Sequence, residues 1–313
     1  MISNTIQPPR VVAGSAVGIV STSAPVSKEQ LDNVVGYFES RGHPVKLGSH
    51  VLEDFGYIAG SREYRVADLQ DMYRDPEVSL IIPANGGKGA AGLLDALNFD
   101  LIRQNPKVFT GISDPSAVCN GVAARAGVLT LHGPSGVDFA RRPVNAETMD
   151  AFWAMVSGPV AGNQVAGPDW AHYRLADGQT VIGPAIGGHL GTIQALVGTQ
   201  WMPPVAGAIL FVEEVAVPWV RIDAMLTHLR LAGILDAVSA LVFGTAVECD
   251  QGDVLDPNLD ELILRCVPPH LPVITGVDFG HTPRKVPFVV GAEIEIRADG
   301  NGATLTYVDN FVE

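Results

Sequence analysis

The sequence has few cysteines, few positive charges and no long apolar run. Its three cysteines, Cys119, Cys249 and Cys266, are odd in number and widely spaced, which suits neither a disulfide framework nor a zinc site. The chain has 20 Lys and Arg residues against 34 Asp and Glu, so its formal net charge is −14. Nucleic acids and anionic membrane surfaces are bound by clustered cations, so this charge balance argues against both partners.

Targeting and cofactor signals are also missing. No apolar run reaches the roughly 18 residues of a membrane span, and the N-terminus has no basic start followed by an apolar segment, so we expect no signal peptide. No metal cluster, phosphate loop or cofactor motif is visible, and Gly86-Gly87-Lys88-Gly89 lacks the spacing of a Walker motif. We therefore expect a reduced, cytoplasmic protein that uses no cofactor.

The composition is that of a globular protein with ample material for a core. Of the 313 residues, 47% are hydrophobic and 17% are charged, and this length allows one large or two ordinary domains. The first 135 residues or so alternate between apolar runs and amphipathic stretches. The predicted strands there are 17–20, 44–47, 78–82, 108–110 and 128–131, and the predicted helices are 28–41, 62–74, 89–97 and 116–126. This alternation predicts a parallel sheet covered on both faces.

The second half of the chain has a different organisation. Residues 135–180 are rich in proline and glycine joins, with one amphipathic stretch at about 146–155. Strand and helix patterns then alternate again, and 288–308 has a period of two with a turn signal at Asp299-Gly300-Asn301-Gly302, which predicts a hairpin. We therefore divide the chain into an N-terminal domain (1–140), a connecting region (141–180) and a C-terminal domain (181–313).

Three polar positions follow apolar strand-like runs. They are Ser113, Glu213 or its neighbour Glu214, and His281. In parallel sheets, sites form outside the carboxyl ends of the strands. A serine nucleophile needs a base, and the base needs a carboxylate to fix its tautomer. All three residue types are available for such a triad, in the chain order serine, carboxylate, histidine, but residue types alone do not establish one. Only one of the two adjacent glutamates can face such a site.

Ser113 lies between the strand at 108–110 and the helix that follows it. The simpler interpretation is that Ser113 caps this helix, because Ser-Asp-Pro is a good capping context. The alternative is that the hydroxyl is exposed as a nucleophile beside free helix amides. The backbone N–H of Asp114 would then be one oxyanion donor, and an amide of the Gly86-Gly87 turn the second.

Longer blocks of the sequence resemble a known family. These blocks include NGGKGAAGLLDALNFDLIRQNPKVFTGISDPSAV (85–118), ILFVEEVAVPWVRIDAMLTHLRLAGIL (209–235) and FGHTPRKVPFVVG (279–291). They resemble the LD-carboxypeptidase family of serine peptidases (peptidase family S66), which also contains the microcin-immunity peptidases. The resemblance implies an α/β fold: an N-terminal parallel-sheet sandwich, flavodoxin-like or glutamine-amidotransferase-like, and a smaller C-terminal α/β domain of swivelling type.

The resemblance also assigns roles to residues. It implies a catalytic triad of Ser113, Glu213 and His281 assembled at the interface of the two domains, with Gly87 and Asp114 supplying the oxyanion amides. It further implies a homodimer. Two histidines, His132 and His189, remain possible rivals of His281 as the base.

The chain departs from the family pattern at the positions expected to contact substrate. Peptidoglycan-recycling members often have RGGYG where this chain has Asn85 to Gly89. At the position of His189 the family commonly has asparagine. Our candidates for substrate contacts are Asn85, Lys88, His132 and Trp170, with Trp170 as a ring that could stack on a nucleobase. Either substrate would be a small molecule: a peptide or an aminoacyl nucleotide.

The first functional hypothesis is a serine carboxypeptidase that releases the terminal D-alanine from a murein tetrapeptide. The alternative within the family is a microcin-immunity type of hydrolase that acts on an aminoacyl-nucleotide antibiotic. A third hypothesis, from another class, is a non-catalytic ligand-binding protein on the same fold.

Overall fold

The computed structural model describes residues 5–141, 145–167, 169–300 and 302–313 of the chain. Within this part the strands form one sheet of six strands and one of eight. No helix among the described residues has both the length and the apolar character needed to cross a membrane. The protein is a mixed α/β fold.

The strands and helices are numbered here in chain order. The strands are β1 (Ala16–Val20), β2 (Val45–Leu47), β3 (Val78–Pro83), β4 (Val108–Gly111), β5 (Thr130–His132), β6 (Gln164–Ala166), β7 (Ala171–Tyr173), β8 (Thr180–His189), β9 (Ile209–Glu213), β10 (Ala240–Gly244), β11 (Val273–Val277), β12 (Phe288–Val290), β13 (Glu293–Asp299) and β14 (Gly302–Tyr307). The helices are α1 (Lys28–Glu39), α2 (Arg62–Arg74), α3 (Phe99–Gln104), α4 (Ser116–Ala126), α5 (Gly136–Ala140), α6 (Ala146–Ser157), α7 (Leu190–Leu196), α8 (Trp219–Leu231), α9 (Ile234–Ala237) and α10 (Leu259–Cys266).

The first sheet has the order β12-β5-β4-β3-β1-β2, and its strands are parallel except β12. The middle strands are apolar runs with almost every residue buried, as expected when helices cover both faces of a parallel sheet. The helix starts are fixed by side chains: Ser27 forms a capping box at α1, and Ser61 accepts a hydrogen bond from Tyr64 N at α2. The predicted parallel sheet is confirmed.

The second sheet has the order β6-β14-β13-β8-β9-β10-β11-β7. Strands β8 to β11 are parallel and form its centre, whereas the strands on both sides of them pair antiparallel. The predicted hairpin in 288–308 is confirmed for β13 and β14. Asn301 of its turn signal lies outside the described residues.

Three strands pair with sheets in a way that their position in the sequence does not predict. Strand β12 follows the eight-stranded sheet's parallel strands in the chain, yet it pairs antiparallel with β5 of the first sheet. Strands β6 and β7, from the region expected only to connect the domains, pair with β14 and β11 of the second sheet. The domain boundaries at 140 and 181 stay a prediction, but the sheets are joined by more than a linker.

The helix predicted over 89–97 is wrong. The structure has a single 3₁₀ turn there, Ala91–Leu93. Gly89 has a φ of 110°, which is outside the helical region, and no side chain of the described residues caps the turn. The chain instead starts a new helix at Phe99, where the Asn98 side chain accepts from Leu101 N.

Candidate active site

Ser113 occupies a sharp turn between β4 and α4. Its φ is +65°, in the left-handed region, which costs a non-glycine residue about 1–3 kcal/mol. Gly111 is required at the end of β4, because a Cβ there would lie 2.7 Å from the Pro115 Cβ. Helix α4 is capped by Pro115 without a side-chain hydrogen bond. The serine hydroxyl therefore does not cap the helix, and the capping interpretation is wrong.

The glycine turn after β3 packs directly against Ser113. A Cβ on Gly86 would lie 3.1 Å from the Ser113 Cβ, and one on Gly87, whose φ is +123°, would lie 2.5 Å from the Ala24 Cβ. Across the described residues, the backbone N–H groups of Gly87 and Asp114 donate to no protein acceptor. Two amide donors are thus left available next to the serine.

Buried side chains hold this turn in place. The Asp114 carboxylate accepts from the Ala90 amide at 2.7 Å. The Arg65 guanidinium donates to the carbonyls of Thr22 at 2.7 Å and Gly89 at 3.2 Å, and its burial lowers the pKa of this group. Arg65 therefore ties the glycine turn to the loop after β1.

His281 is held by a buried carboxylate. The Nδ1 atom of His281 lies 2.8 Å from Oε2 of Glu213, whose side chain is fully buried. An ionised carboxylate only accepts hydrogen bonds, so this contact places a proton on Nδ1 and leaves Nε2 as the acceptor. Gly280 makes the close approach possible, because a Cβ there would lie 2.3 Å from the Glu213 Cγ.

Glu214 binds a different histidine. Its Oε1 atom lies 2.7 Å from Nε2 of His189, and the two histidine rings, His189 and His281, are 5.8 Å apart. Burial acts to lower the pKa of His189, but the hydrogen bond to Glu214 and the charge of Glu213 outweigh it, so this pKa is raised. The choice between the adjacent glutamates is thus resolved geometrically: Glu213 is the partner of His281.

Ser113 and His281 line one cavity of about 200 Å³. Asn85 and both glycines of the turn line it too, together with four residues that the sequence did not single out: Ser135, Asp138, Arg141 and Lys285. No hydrogen bond among the described residues joins the Ser113 hydroxyl to the His281 ring. Such contacts are often long in ligand-free enzymes and shorten only when substrate is bound.

Two of the expected substrate contacts are wrong. Trp170 is 4% exposed and lines a small cavity in the core of the second sheet with Val242 and Ile274, so its ring has no face to offer a ligand. His132 is 1% exposed and stacks on Phe288 at 4.7 Å. Burial lowers the pKa of His132 to about 3, so it is neutral and packs in the core.

Lys88 is exposed and does not line the cavity that contains Ser113. Arg65 and Asp68, one helical turn apart on α2, are both buried but do not pair with each other: Asp68 binds His50 at 2.8 Å, and Arg65 donates to backbone carbonyls. No group of three or more His, Cys, Asp or Glu suited to a metal ion occurs in the part of the chain that the structure describes.

The arrangement has the parts that acyl transfer requires. The Ser113 hydroxyl and the carboxylate-bound imidazole of His281 line one cavity, and the available amides of Gly87 and Asp114 lie next to the serine. Residues 17–133 match the family model of the LD-carboxypeptidase N-terminal domain, and residues 182–296 match that of the LD-carboxypeptidase C-terminal domain. The chain belongs to the LD-carboxypeptidase family. It is an enzyme of the peptidase class that the family model describes.

Relatives within the LD-carboxypeptidase family align over nearly the whole chain. A putative carboxypeptidase of Streptomyces coelicolor is 32% identical, over 96% of this chain and 96% of the relative. A probable murein peptide carboxypeptidase of Bacillus subtilis is 28% identical, over 94% of this chain and 92% of the relative.

The microcin C7 self-immunity protein MccF of Escherichia coli is 24% identical, over 95% of this chain and 94% of MccF. Its solved structure in complex with aspartyl sulfamoyl adenosine superposes with a TM-score of 0.90 at 23% identity, covering 98% of this chain and 100% of MccF. This similarity shows a shared two-domain fold.

Proposed function

We propose that the protein is a cytoplasmic serine carboxypeptidase that hydrolyses an LD-peptide bond and releases the terminal D-alanine of a murein tetrapeptide. The observation that carries this proposal is that His281, held by the buried carboxylate of Glu213, lines the same cavity as a serine with left-handed backbone geometry. The murein substrate is supported by the relative described as a probable murein peptide carboxypeptidase.

The proposed reaction begins with proton transfer from Ser113. Its Oγ attacks the carbonyl carbon of the scissile amide while Nε2 of His281 takes the hydroxyl proton. Glu213 accepts from Nδ1, keeps the ring in this tautomer and stabilises the imidazolium that forms. The negative oxygen of the tetrahedral intermediate then receives hydrogen bonds from the Gly87 and Asp114 amides.

The intermediate breaks down when the C–N bond breaks. The leaving nitrogen takes the proton from Nε2 of His281 and departs as the amine, which leaves an ester on Ser113. A water molecule then attacks this ester, with His281 as the base again, and hydrolysis returns the serine hydroxyl and releases the shortened peptide as its carboxylate. No group other than water is consumed.

The proposed role of the Gly87 amide predicts the effect of one methyl group. We expect Gly87→Ala to lower kcat about 100-fold or more, because the added Cβ lies 2.5 Å from the Ala24 Cβ and the φ of +123° is strained for alanine. Steady-state kinetics on the tetrapeptide measure this. The matched control is Gly92→Ala, where a Cβ meets nothing within 4 Å. An equal loss of kcat in both variants would contradict the assignment of the amide.

The substrate class is tested by a paired assay. The fold shared with MccF makes an aminoacyl nucleotide the rival substrate, whereas the burial of Trp170 removes the nucleobase platform that we expected for it. With a murein tetrapeptide and an aspartyl-adenylate analogue assayed side by side, we expect kcat/KM to be at least about tenfold higher on the tetrapeptide. Mass spectrometry of the products measures both reactions. Hydrolysis of the adenylate analogue alone would favour the microcin-immunity type instead.

A further inference from the structure

The wall of the active-site cavity beyond His281 carries positive charge. A second cavity of about 200 Å³ adjoins the one that contains Ser113. Both are lined by His281, Asp138, Arg141 and Lys285. The two cavities therefore form one groove. Its described lining residues next to the histidine include two cations and one carboxylate, although the net charge of the chain is −14.

Lys285 is buried in this wall and has a donor to spare. Its side chain is 7% exposed, and its ammonium group donates to the Thr282 carbonyl at 2.6 Å and lies 3.4 Å from a carboxylate oxygen of Asp138. Asp138 also accepts from the backbone and the hydroxyl of Ser135. A lysine ammonium has three N–H donors. Two donors of the Lys285 ammonium are accounted for by Thr282 and Asp138. Within the described residues the third donor has no acceptor, so it is available to a ligand in the groove.

The chemistry of the proposed reaction puts an anion at this position. His281 must lie within hydrogen-bond distance of the leaving nitrogen to protonate it. When the leaving group is a C-terminal amino acid, its carboxylate carbon is two bonds from that nitrogen, or about 2.5 Å by standard bond lengths. The carboxylate oxygens thus fall beside the groups that share the cavity wall with His281.

We propose that Lys285, assisted by Arg141, binds the carboxylate of the leaving amino acid and so restricts the enzyme to the C-terminal peptide bond. The inference rests on the proposed function and extends it, because it names the side chain that recognises a free C-terminus. A charge-assisted hydrogen bond to a carboxylate is strong enough to select it over a neutral carboxamide.

Other cations near the site are less suited to this role. Lys88 is exposed and does not line either cavity. Arg284 already binds Glu147 at 3.0 Å and Asp278 at 2.7 Å. Among the described residues, Lys285 combines a free donor with burial and a position next to His281.

The test compares two substrates that differ only at the C-terminus: the tetrapeptide with a free carboxylate and the same peptide as its carboxamide. We expect Lys285→Met to lower kcat/KM on the acid about 30-fold, mainly through KM, and to change it less than about threefold on the carboxamide. Lys285→Arg should retain most of the preference for the acid. Lys46→Met, which removes a charge paired with Asp75 and Glu77 away from the cavities, should leave the preference unchanged.

The acid-to-carboxamide ratio does not depend on the amount of folded enzyme, so partial unfolding of a variant cannot imitate the effect. The double variant Lys285→Met/Asp138→Asn removes both charges and avoids leaving Asp138 buried without its cation. An equal loss on both substrates in Lys285→Met would overturn the inference while leaving the proposed function intact. Wild-type enzyme that cleaves neither peptide would overturn both.

A third substrate separates a carboxylate from another anion on the leaving nitrogen. The phosphoryl-type group of an aspartyl-adenylate analogue would contact the same side chains, Lys285 and Arg141. If Lys285→Met spared hydrolysis of the acid peptide and lowered only that of the analogue, the assignment to a carboxylate would be wrong. We expect the opposite order of effects.

Discussion

Replacing Ser113 by alanine is expected to lower kcat on the tetrapeptide by about 10⁴- to 10⁶-fold, which corresponds to roughly 5–8 kcal/mol of transition-state stabilisation. The variant keeps the two free amides and the Glu213–His281 pair but loses the atom that attacks the carbonyl. Residual hydrolysis then depends on water held in the same cavity. Single-turnover and steady-state assays over long incubations measure the loss.

The fold is expected to survive this substitution. Ser113 makes no side-chain hydrogen bond among the described residues, and alanine can replace it at a φ of +65° with little additional strain. The melting temperature should therefore change by less than about 3 °C, which corresponds to less than about 1 kcal/mol in a protein of this size. Thermal denaturation followed by circular dichroism measures it.

A serine that lines the same cavity provides the matched control. Ser135 donates to Asp138 at 3.1 Å, and Ser135→Ala should lower kcat less than about tenfold. A serine-directed organophosphonate should label the wild type and the Ser135 variant but not Ser113→Ala. Undiminished hydrolysis by Ser113→Ala would contradict the proposed mechanism, and a wild type that neither reacts nor hydrolyses would favour the non-catalytic binding protein.

Local patterns were sufficient to predict most of the elements that carry the site. Helices α2 and α4 begin and end at the residues expected from their apolar spacing, and Asp75 and Gly127 mark their ends in the sequence. The sequence also predicts the turn at Ser113, because Gly111 precedes it and Pro115 follows it. The prediction of a helix over 89–97 is wrong because the segment begins at Gly89, whose φ is positive.

Contacts between distant parts of the chain were not predictable in the same way. Lys285 meets Asp138 across 147 residues of sequence, and nothing near either residue indicates the other. The same limit explains why Trp170 was expected to contact substrate. Its proline-rich surroundings in the sequence are typical of an exposed loop, but its ring is buried. Strand β12 is an example of a whole element whose partner is not predictable, because its apolar residues fit either sheet.

The adjacent glutamates illustrate what the structure adds to the sequence. Alternation along a strand predicts that Glu213 and Glu214 point to opposite sides, but it does not say which one meets a histidine. In the structure each binds its own, His281 for Glu213 and His189 for Glu214. The two pairs are similar in distance and in burial of the carboxylate, so a comparison of matched substitutions can separate catalysis from packing.

Glu213→Gln is expected to lower kcat about 10³- to 10⁴-fold with little change in KM, because it removes the charge that stabilises the His281 imidazolium. The Oε1 atom of Glu213 has no hydrogen-bond partner in the described part of the chain. A glutamine must therefore either bury its NH₂ group at that point without an acceptor or turn it toward Nδ1 of His281. The second orientation moves the ring proton to Nε2, where it blocks proton transfer from Ser113.

Glu214→Gln should have the opposite profile. Its carboxylate accepts from the amides of Gly191 and Val215 as well as from His189, so its loss weakens a buried network and lowers the melting temperature, whereas kcat should fall less than about tenfold. The hydrogen bond from His189 lowers the pKa of Glu214 against the effect of burial, which means that its stabilising charge is present at neutral pH. If both variants lost kcat equally, the 2.8 Å contact between Glu213 and His281 would not be what activates the serine.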